Sequence, residues 1–551
     1  MYNNIINNWR LRKKMKKSKF MIALFAAVFF TISAFAANPD KDIVILYTND
    51  VHCGADDNIG YAGLSLYKQE MKELTPYVTL VDAGDALQGA TIGSFSKGEY
   101  IVDLMNETGY DLAIPGNHEF DYGIPQLMKM SKKLKCGYIS CNFLNKKGKA
   151  IFPAYKIFSY GDAKVAFVGV STPETLVASN PITFQDKKGN TIYDFGGDND
   201  GKKMVELTQA AIDEARSKGA DFVILLAHLG ENTTVSDWNA MNLIARISGA
   251  DALIDGHSHE ITPLLMADDK DGKAVPITQS GTKLANIGKV TISTEGKITT
   301  ELVSQVPAKD GESKDARIAA EIDTIKADIH ASLNKTIGYI DYELPALDAN
   351  KKWLTRSGEL PLGDFITDAG KTIFKADVAI INGGGIRGGI DKGDITLYDM
   401  LSVHPFGNYI CLYEISGQAL LDELEYGAKK VPENFGGFLH VSGITYKINT
   451  AIPSSVEVNE KACFTGKVNG EYRVHDVYVN GEPLDVNKTY RLAGPDFVIA
   501  NHGDGHLFKG AKLVTSATPM VDCDLLTEYV KLTGGKISDD YRKNQERIVI
   551  K

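Results

Sequence analysis

A chain of 551 residues with 44% hydrophobic and 24% charged positions can bury sizeable cores, and at roughly 100–200 residues per domain it should divide into two or three domains. Its formal charge of −10 excludes binding of nucleic acid polymer through the overall field, so phosphate recognition would have to come from metals and a few placed arginines. Six cysteines (Cys53, Cys136, Cys141, Cys411, Cys463, Cys523) in so long a chain do not make a disulfide scaffold, and Cys53 reads as a packing residue.

Residues 1–36 have the makeup of a secretory signal peptide. Arg10, Arg12, Lys13, Lys14, Lys16, Lys17 and Lys19 precede an apolar run from Phe20 to Ile32 and a small-residue Ala34-Phe35-Ala36 site. The run is shorter than the ~20 residues that span a bilayer, no cysteine lies near Ala36, and the chain ends Arg547-Ile548-Val549-Ile550-Lys551 without an apolar tail. The mature protein is therefore expected to be exported, periplasmic or extracellular, without stable membrane insertion. Losing the seven basic and no acidic residues of the leader moves the formal charge from −10 to −17.

From about Asp42 to Val306 apolar runs alternate with helical stretches such as Tyr100 to Glu107 and Gly201 to Lys218, which predicts a layered α/β domain over residues 41–306. Residues 309–335 turn charged, with Ile318, Ile322, Ile325 and Ile329 at helical spacing, and predict a helical linker. A second α/β domain is expected over 336–551, with strand-like runs Val378 to Ile381 and Tyr409 to Ile415.

Within the first domain five short apolar runs each end in side chains of metal-ligand type. Ile43 to Tyr47 leads into Asp50 and His52, and Val78 to Val81 into Asp82 and Asp85. Leu112 to Ile114 leads into Asn117, His118 and Asp121; Phe222 to Leu226 into His228; and Ala252 to Ile254 into Asp255, His257 and His259. Taken alone, Asn117-His118 would be a capped turn before a helix. Reactive groups belong at the carboxyl ends of the strands of an open sheet, so five such ends can converge on one crevice. Asp, His and Asn donors without a clustered thiolate suit Zn, Mn, Co or Fe, and they are too many for one ion. A carboxylate such as Asp85 can bridge two ions roughly 3.5–4 Å apart, and His118 held by Asp121 can stabilise a transferring phosphoryl group or pass a proton to its leaving group.

These five segments, in this order, resemble the calcineurin-like metallophosphoesterase domain of the secreted 5′-nucleotidase family. Gly116-Asn117-His118-Glu119-Phe120-Asp121 and Gly256-His257-Ser258-His259 are the most diagnostic pieces. The resemblance implies a four-layer α/β/β/α domain joined by the helical linker to an α/β substrate-binding domain. It implies one metal on Asp50, His52, Asp85 and His259, another on Asp85, Asn117, His228 and His257, and a His118–Asp121 dyad. It extends to the second domain, where Arg356 and Arg387 (in Asn382-Gly383-Gly384-Gly385-Ile386-Arg387) would contact phosphate. Phe406 would stack on the base, Asn408 would read its edge, Gly443 would line the site, and Asp504 would accept the ribose hydroxyls. The implied substrates are nucleoside 5′-monophosphates, with UDP-sugars or 2′,3′-cyclic nucleotides as further ones, and the implied motion is a hinge rotation between the domains.

Two alternatives share these residues: a dimetal hydrolase of another phosphoester or sulfur-linked substrate, and a non-catalytic nucleoside-binding surface protein, against which the complete ligand and dyad set argues. One departure touches the base clamp. The family's second stacking aromatic falls six residues before Asp504, where this chain has Val498, with Phe497 one step earlier. On a strand that step would point the ring to the other face unless a bulge restored it.

Overall fold

The computed structural model describes residues 37–551, apart from 187–189, 199, 232, 234, 309–310 and 460–461. The leader at 1–36 and the first two residues of the expected linker lie outside the described residues.

Two sheets form the heart of the first half. One has the order Ile298–Val303, Ile287–Ile292, Ile43–Thr48, Val78–Asp82, Leu112–Ala113. The other runs Ile261–Asp268, Ala274–Ser280, Ala252–Ile254, Phe222–His228, Ala163–Ser171, Tyr155–Tyr160. Side chains alternate across each strand, so buried runs apolar at every position face two cores. Ile43, Ile45 and Tyr47 meet Val165, Phe167, Ile224 and Leu226 between the sheets. Val44 and Leu46 face outward onto the helices Gly60–Leu74, Glu99–Thr108 and Ala316–Leu333. Val168, Val223 and Leu225 face the opposite way, onto the helix Lys202–Ser217. The outcome is four layers, α/β/β/α.

The helix Ala316–Leu333 packs on this body, and its His330 ring also stacks on Tyr398 of the second half, with centroids 4.7 Å apart. Asp315 caps it, accepting hydrogen bonds from the backbone N–H of Arg317 (2.9 Å) and Ile318 (3.3 Å). Ile318, Ile322, Ile325 and Ile329 are all buried in the outer core of the first sheet. The helical spacing thus marks a packed face, not a free spacer.

The second half is built on a sheet ordered Leu439–Ser442, Val378–Asn382, Thr489–Pro495, Tyr409–Ser416, with Lys512–Leu513 and Met520–Val521 along its outer edge. Ala379 and Ile381 face the helices Pro361–Phe374 and Asp522–Leu532. Val378 and Ile380 face the helix Gly417–Gly427 and a smaller sheet that includes Ile444–Ile448 and Val474–Val479. Cys53, Cys136, Cys141, Cys411 and Cys523 are free, and burial pushes the Cys53 thiol up to about 12, which makes it an inert core group. Among the described residues no helix is long and apolar enough to cross a membrane.

Candidate metal centre and substrate crevice

Parallel pairing brings the ligand-bearing loops together. Thr48 pairs with Asp82, Asp82 with Ala113, and Leu226 with Ile254, so the following residues leave their strands at one level. The loops are held in uncommon backbone geometry: Asp50, His52, Asp85, His257 and His259 have φ between +46° and +80°. Non-glycine residues seldom adopt that region, and such strain concentrates where the surrounding structure over-determines a functional site.

Three triads each bring their ligand atoms within 4.8 Å of one another: Asp50, His52 and His259; His52, Asp85 and His118; and Asp85, His228 and His257. Asp85 Oδ2 stands 3.2 Å from His228 Nε2 and 3.8 Å from His52 Nε2, between the two clusters. Asp50 Oδ1 is 3.3 Å from His259 Nε2, and Asn117 Oδ1 is 2.9 Å from His257 Nδ1. These donors fit divalent cations by three tests: they are oxygen and imidazole groups without thiolate, they converge from separate strand ends, and the buried Nε2 of His228 points at the carboxylates of Asp85 (3.2 Å) and Asp50 (3.9 Å). His118 Nδ1 is 2.6 Å from Asp121 Oδ2, while Ser179 donates to the other oxygen of Asp121 at 2.7 Å. Burial opposes charge on His118, but Asp121 and Asp85 outweigh it and raise its pKa.

One buried carboxylate that motif reading left without a role ties two of these loops together. Glu119 accepts from the backbone N–H groups of Asp85 (2.8 Å), Ala86 (2.8 Å), Leu87 (3.0 Å) and Gly116 (2.7 Å). Close packing leaves no room for side chains there. A Cβ on Gly116 would come within 2.3 Å of Asp85 Oδ1, and one on Gly84 within 2.6 Å of Gly116 N.

The second half faces this centre across the crevice. Arg387, at 7% exposure, places Nη2 3.4 Å from His52 Nδ1, and the Phe406 ring lies 5.9 Å from the His118 ring. Arg356 and Arg387 share the face of Trp353, at 4.8 and 5.5 Å from its centroid, and Arg387 also lies over Phe406 at 5.6 Å. Burial, then the like charge of Arg387, pulls Arg356 down to about 9, and its Nε is buried without a partner. Two adjacent guanidiniums on one aromatic shelf suit an anion between them. Trp353 could have been found only as an aromatic three residues before Arg356.

Asp504 sits beside Asn382, whose side chain donates to it at 2.7 Å, and Tyr426 donates its hydroxyl to the Asp504 carbonyl at 2.9 Å. Gly384 N–H donates to Gly436 O at 2.7 Å, and a Cβ on Gly436 would meet Asp504 Oδ1 at 3.5 Å. Asn408 is half-buried, its backbone N–H donating to Asp522 Oδ2 at 3.0 Å.

Two expectations for this half need correction. Gly443 does not join the group. Leu439 pairs with Asn382 but Ser442 with Ala379, so Gly443 emerges at the opposite end of the strand pair, where its Cβ would lie 2.1 Å from Asp377 O. Gly436, seven residues earlier, occupies the position beside Asp504. Phe497 is not on a strand: it lies in the short helix Asp496–Ile499, so the argument from alternating faces does not apply. Val498 is fully buried in the core, and the half-buried Phe497 ring packs over Gly503, where a Cβ would meet it at 2.4 Å.

The comparisons with known proteins agree with this architecture. Residues 43–260 match the calcineurin-like phosphoesterase family, which makes the chain a metal-dependent phosphoester hydrolase. Residues 337–512 match the 5′-nucleotidase C-terminal domain, and the chain belongs to the 5′-nucleotidase family. The snake venom 5′-nucleotidase of Gloydius brevicauda is 28% identical over 93% of this chain and 90% of its own. The 5′-nucleotidase precursor from Thermus thermophilus superposes with a TM-score of 0.74 at 24% identity, over 92% of this chain and 99% of that one. The Thermus thermophilus sulfate thiohydrolase SoxB has the same fold, with a TM-score of 0.69 at 19% identity over 93% and 97% of the two chains.

Proposed function

We propose that the protein is an exported 5′-nucleotidase that hydrolyses nucleoside 5′-monophosphates to nucleoside and phosphate. The observation that carries this reading is the meeting of the two halves: the Arg387 guanidinium is 3.4 Å from His52 and the Phe406 ring 5.9 Å from His118. A phosphate gripped by Arg356 and Arg387 would therefore lie at the metal centre, with its nucleoside directed toward Phe406 and Asp504.

Asp50, His52, Asp85 and His259 would hold one divalent cation, and Asp85, Asn117, His228 and His257 a second. When bound, such a pair neutralises phosphoryl oxygens and lowers the pKa of the attacking water. The chain's own residues do the rest. Arg356 and Arg387 orient the phosphate for in-line attack and balance its charge. His118, with Nδ1 engaged by Asp121, is left with Nε2 to face the substrate, and the carboxylates around it favour its protonated form. Water attacks phosphorus, the P–O5′ bond breaks, and His118 Nε2–H passes its proton to the leaving oxygen. Phe406 stacks on the base while Asp504 accepts the ribose hydroxyls. Residues 1–36 direct export, and the mature chain begins at Ala37.

The test is phosphate release from AMP, GMP, UMP, ADP, a UDP-sugar, a 2′,3′-cyclic nucleotide and an aryl phosphate, with added Mn or Zn, alongside His118→Ala. Preference for 5′-nucleotides that vanishes in the variant supports the reading. Equal or faster cleavage of the aryl ester would retain the metal centre and reject the substrate. N-terminal sequencing of exported protein checks the leader.

A further inference from the structure

The motif series counts five strand ends, but the crevice has a sixth. The strand Ala163–Ser171 runs parallel to Phe222–His228, with Ser171 opposite His228, so the residues after it arrive at the level of the metal centre. They are Thr172-Pro173-Glu174, and Glu174 is 8% exposed, with Oε2 2.9 Å from His257 Nε2.

The three most enclosed histidines of the centre show what that contact does. His52 donates Nδ1–H to Gln88 O at 2.9 Å, and His228 donates Nδ1–H to Ala83 O at 2.7 Å. In both the outer nitrogen is tied to a main-chain carbonyl, which leaves Nε2 for the centre. His257 is turned the other way, with Nδ1 2.9 Å from Asn117 Oδ1 and Nε2 directed at a side-chain carboxylate. Histidines that bind metal commonly donate their other N–H to such a partner, which fixes the tautomer and raises the basicity of the ligating nitrogen. A carboxylate does this more strongly than a carbonyl.

We propose that Glu174 is a positioning residue that accepts Nε2–H from His257, so that Nδ1 is the free, strengthened donor of the Asn117 half of the centre. The inference rests on the assignment of His257 as a ligand in the function proposed above. It also gives Glu174 a second connection. The helix Thr175–Ala178, with Glu174 at its N-cap position, packs against Gly503–Gly505, the turn that carries Asp504. The donor strength of His257 is thereby tied to an element that touches the nucleoside side of the crevice.

The test measures cation affinity, not turnover alone. Mn binding to the metal-stripped full chain would be followed by competition against a chelating indicator, for wild type, Glu174→Ala and Glu174→Gln. The visible spectrum of the Co-substituted forms would be recorded in parallel. Two cations are expected in wild type. Glu174→Ala should weaken one of them by about 10–100-fold and leave the other unchanged, with an altered Co spectrum. Glu174→Gln keeps an acceptor oxygen without the charge and should fall between; being isosteric, it keeps the test decisive if the alanine variant does not fold. kcat should drop with little change in KM for AMP. Wild-type affinity and spectrum in both variants would overturn the inference while leaving the proposed function standing. Failure of wild type to bind any cation would remove both.

Discussion

The two halves of the crevice are assembled by different means. In the metal half every proposed ligand lies within five residues of the end of a strand: Asp50 two beyond Thr48, Asp85 three beyond Asp82, His228 at the last position of its own strand, His257 three beyond Ile254. Parallel register between those strands fixes the mutual height of the ligands, and Glu119 locks two of the loops by main-chain hydrogen bonds. In the substrate half Arg387 also follows a strand end, five residues beyond Asn382, but the other groups come from loops and short helices, Arg356 before the helix Pro361–Phe374, Phe406 after Leu397–Val403, Asp504 after Asp496–Ile499. Their placement depends on contacts between loops, such as Phe435 N–H to Arg356 O and Gly384 N–H to Gly436 O. A strand end carries position from sequence into space almost unaided, whereas a loop needs its partner.

The comparison predicts a graded response, steepest in the metal half. Asp85→Ala removes the carboxylate between both ligand clusters and should abolish nucleotide hydrolysis together with cation binding. His118→Ala should keep the cations and lose about 10²–10⁴-fold in kcat. Equal cation loss in the two variants, measured by bound-metal analysis, would break the distinction between ligand and dyad. In the substrate half, Arg387→Ala should cost about 1.5–3 kcal/mol in kcat/KM for AMP, since it removes hydrogen bonds to a charged group. Because Arg387 lies against His52, part of that loss should fall on kcat; a pure KM effect would mean that the closed contact does not form during turnover. Trp353→Leu, which removes the shelf under both arginines, should cost about 0.5–2 kcal/mol in the same assay. Among the aromatics, Phe406→Ala should weaken nucleoside binding by about 1–3 kcal/mol. The same loss in Phe497→Ala would establish a two-sided clamp, and a negligible one a single stacking face.

Legibility in the sequence follows the same division. The continuously apolar run Ile43 to Tyr47, buried at every position, and the ligands behind it could be read because short apolar runs and strand-end motifs are local signals. The role of the helix Ala316–Leu333 was not local: its isoleucine stripe has one spacing whether it faces a core or a partner body, and only packing decided for the core. Phe497 escapes the alternating-face argument because Asp496–Ile499 is a single helical turn directly after the strand Thr489–Pro495. Glu119 and Glu174 reach residues distant in sequence, Asp85 to Leu87 for one and His257 for the other. For Glu174 a signal did exist, since Val165 to Val170 is one more buried run ending in a polar turn. Trp353 offered none beyond its closeness to Arg356.

The smallest expected effect separates two glycines and probes the loop-built half most finely. Gly443 has φ +76°, and a Cβ there would meet the main-chain carbonyl oxygen of Asp377 at 2.1 Å, far from Asn382. Gly443→Ala should therefore cost about 1–3 kcal/mol of stability, read as a lower Tm, with KM for AMP unchanged in the folded fraction. Gly436 has no such strain, and the nearest atom to its Cβ is Asp504 Oδ1 at an ordinary 3.5 Å. Gly436→Ala should leave Tm unchanged and raise KM by about two- to five-fold, because one methyl group would project beside the carboxylate proposed to accept the ribose hydroxyls and leave it less room. If Gly443→Ala raised KM and Gly436→Ala did not, the strand register would have been read at the wrong end. The substrate half would then need a different arrangement around Asp504.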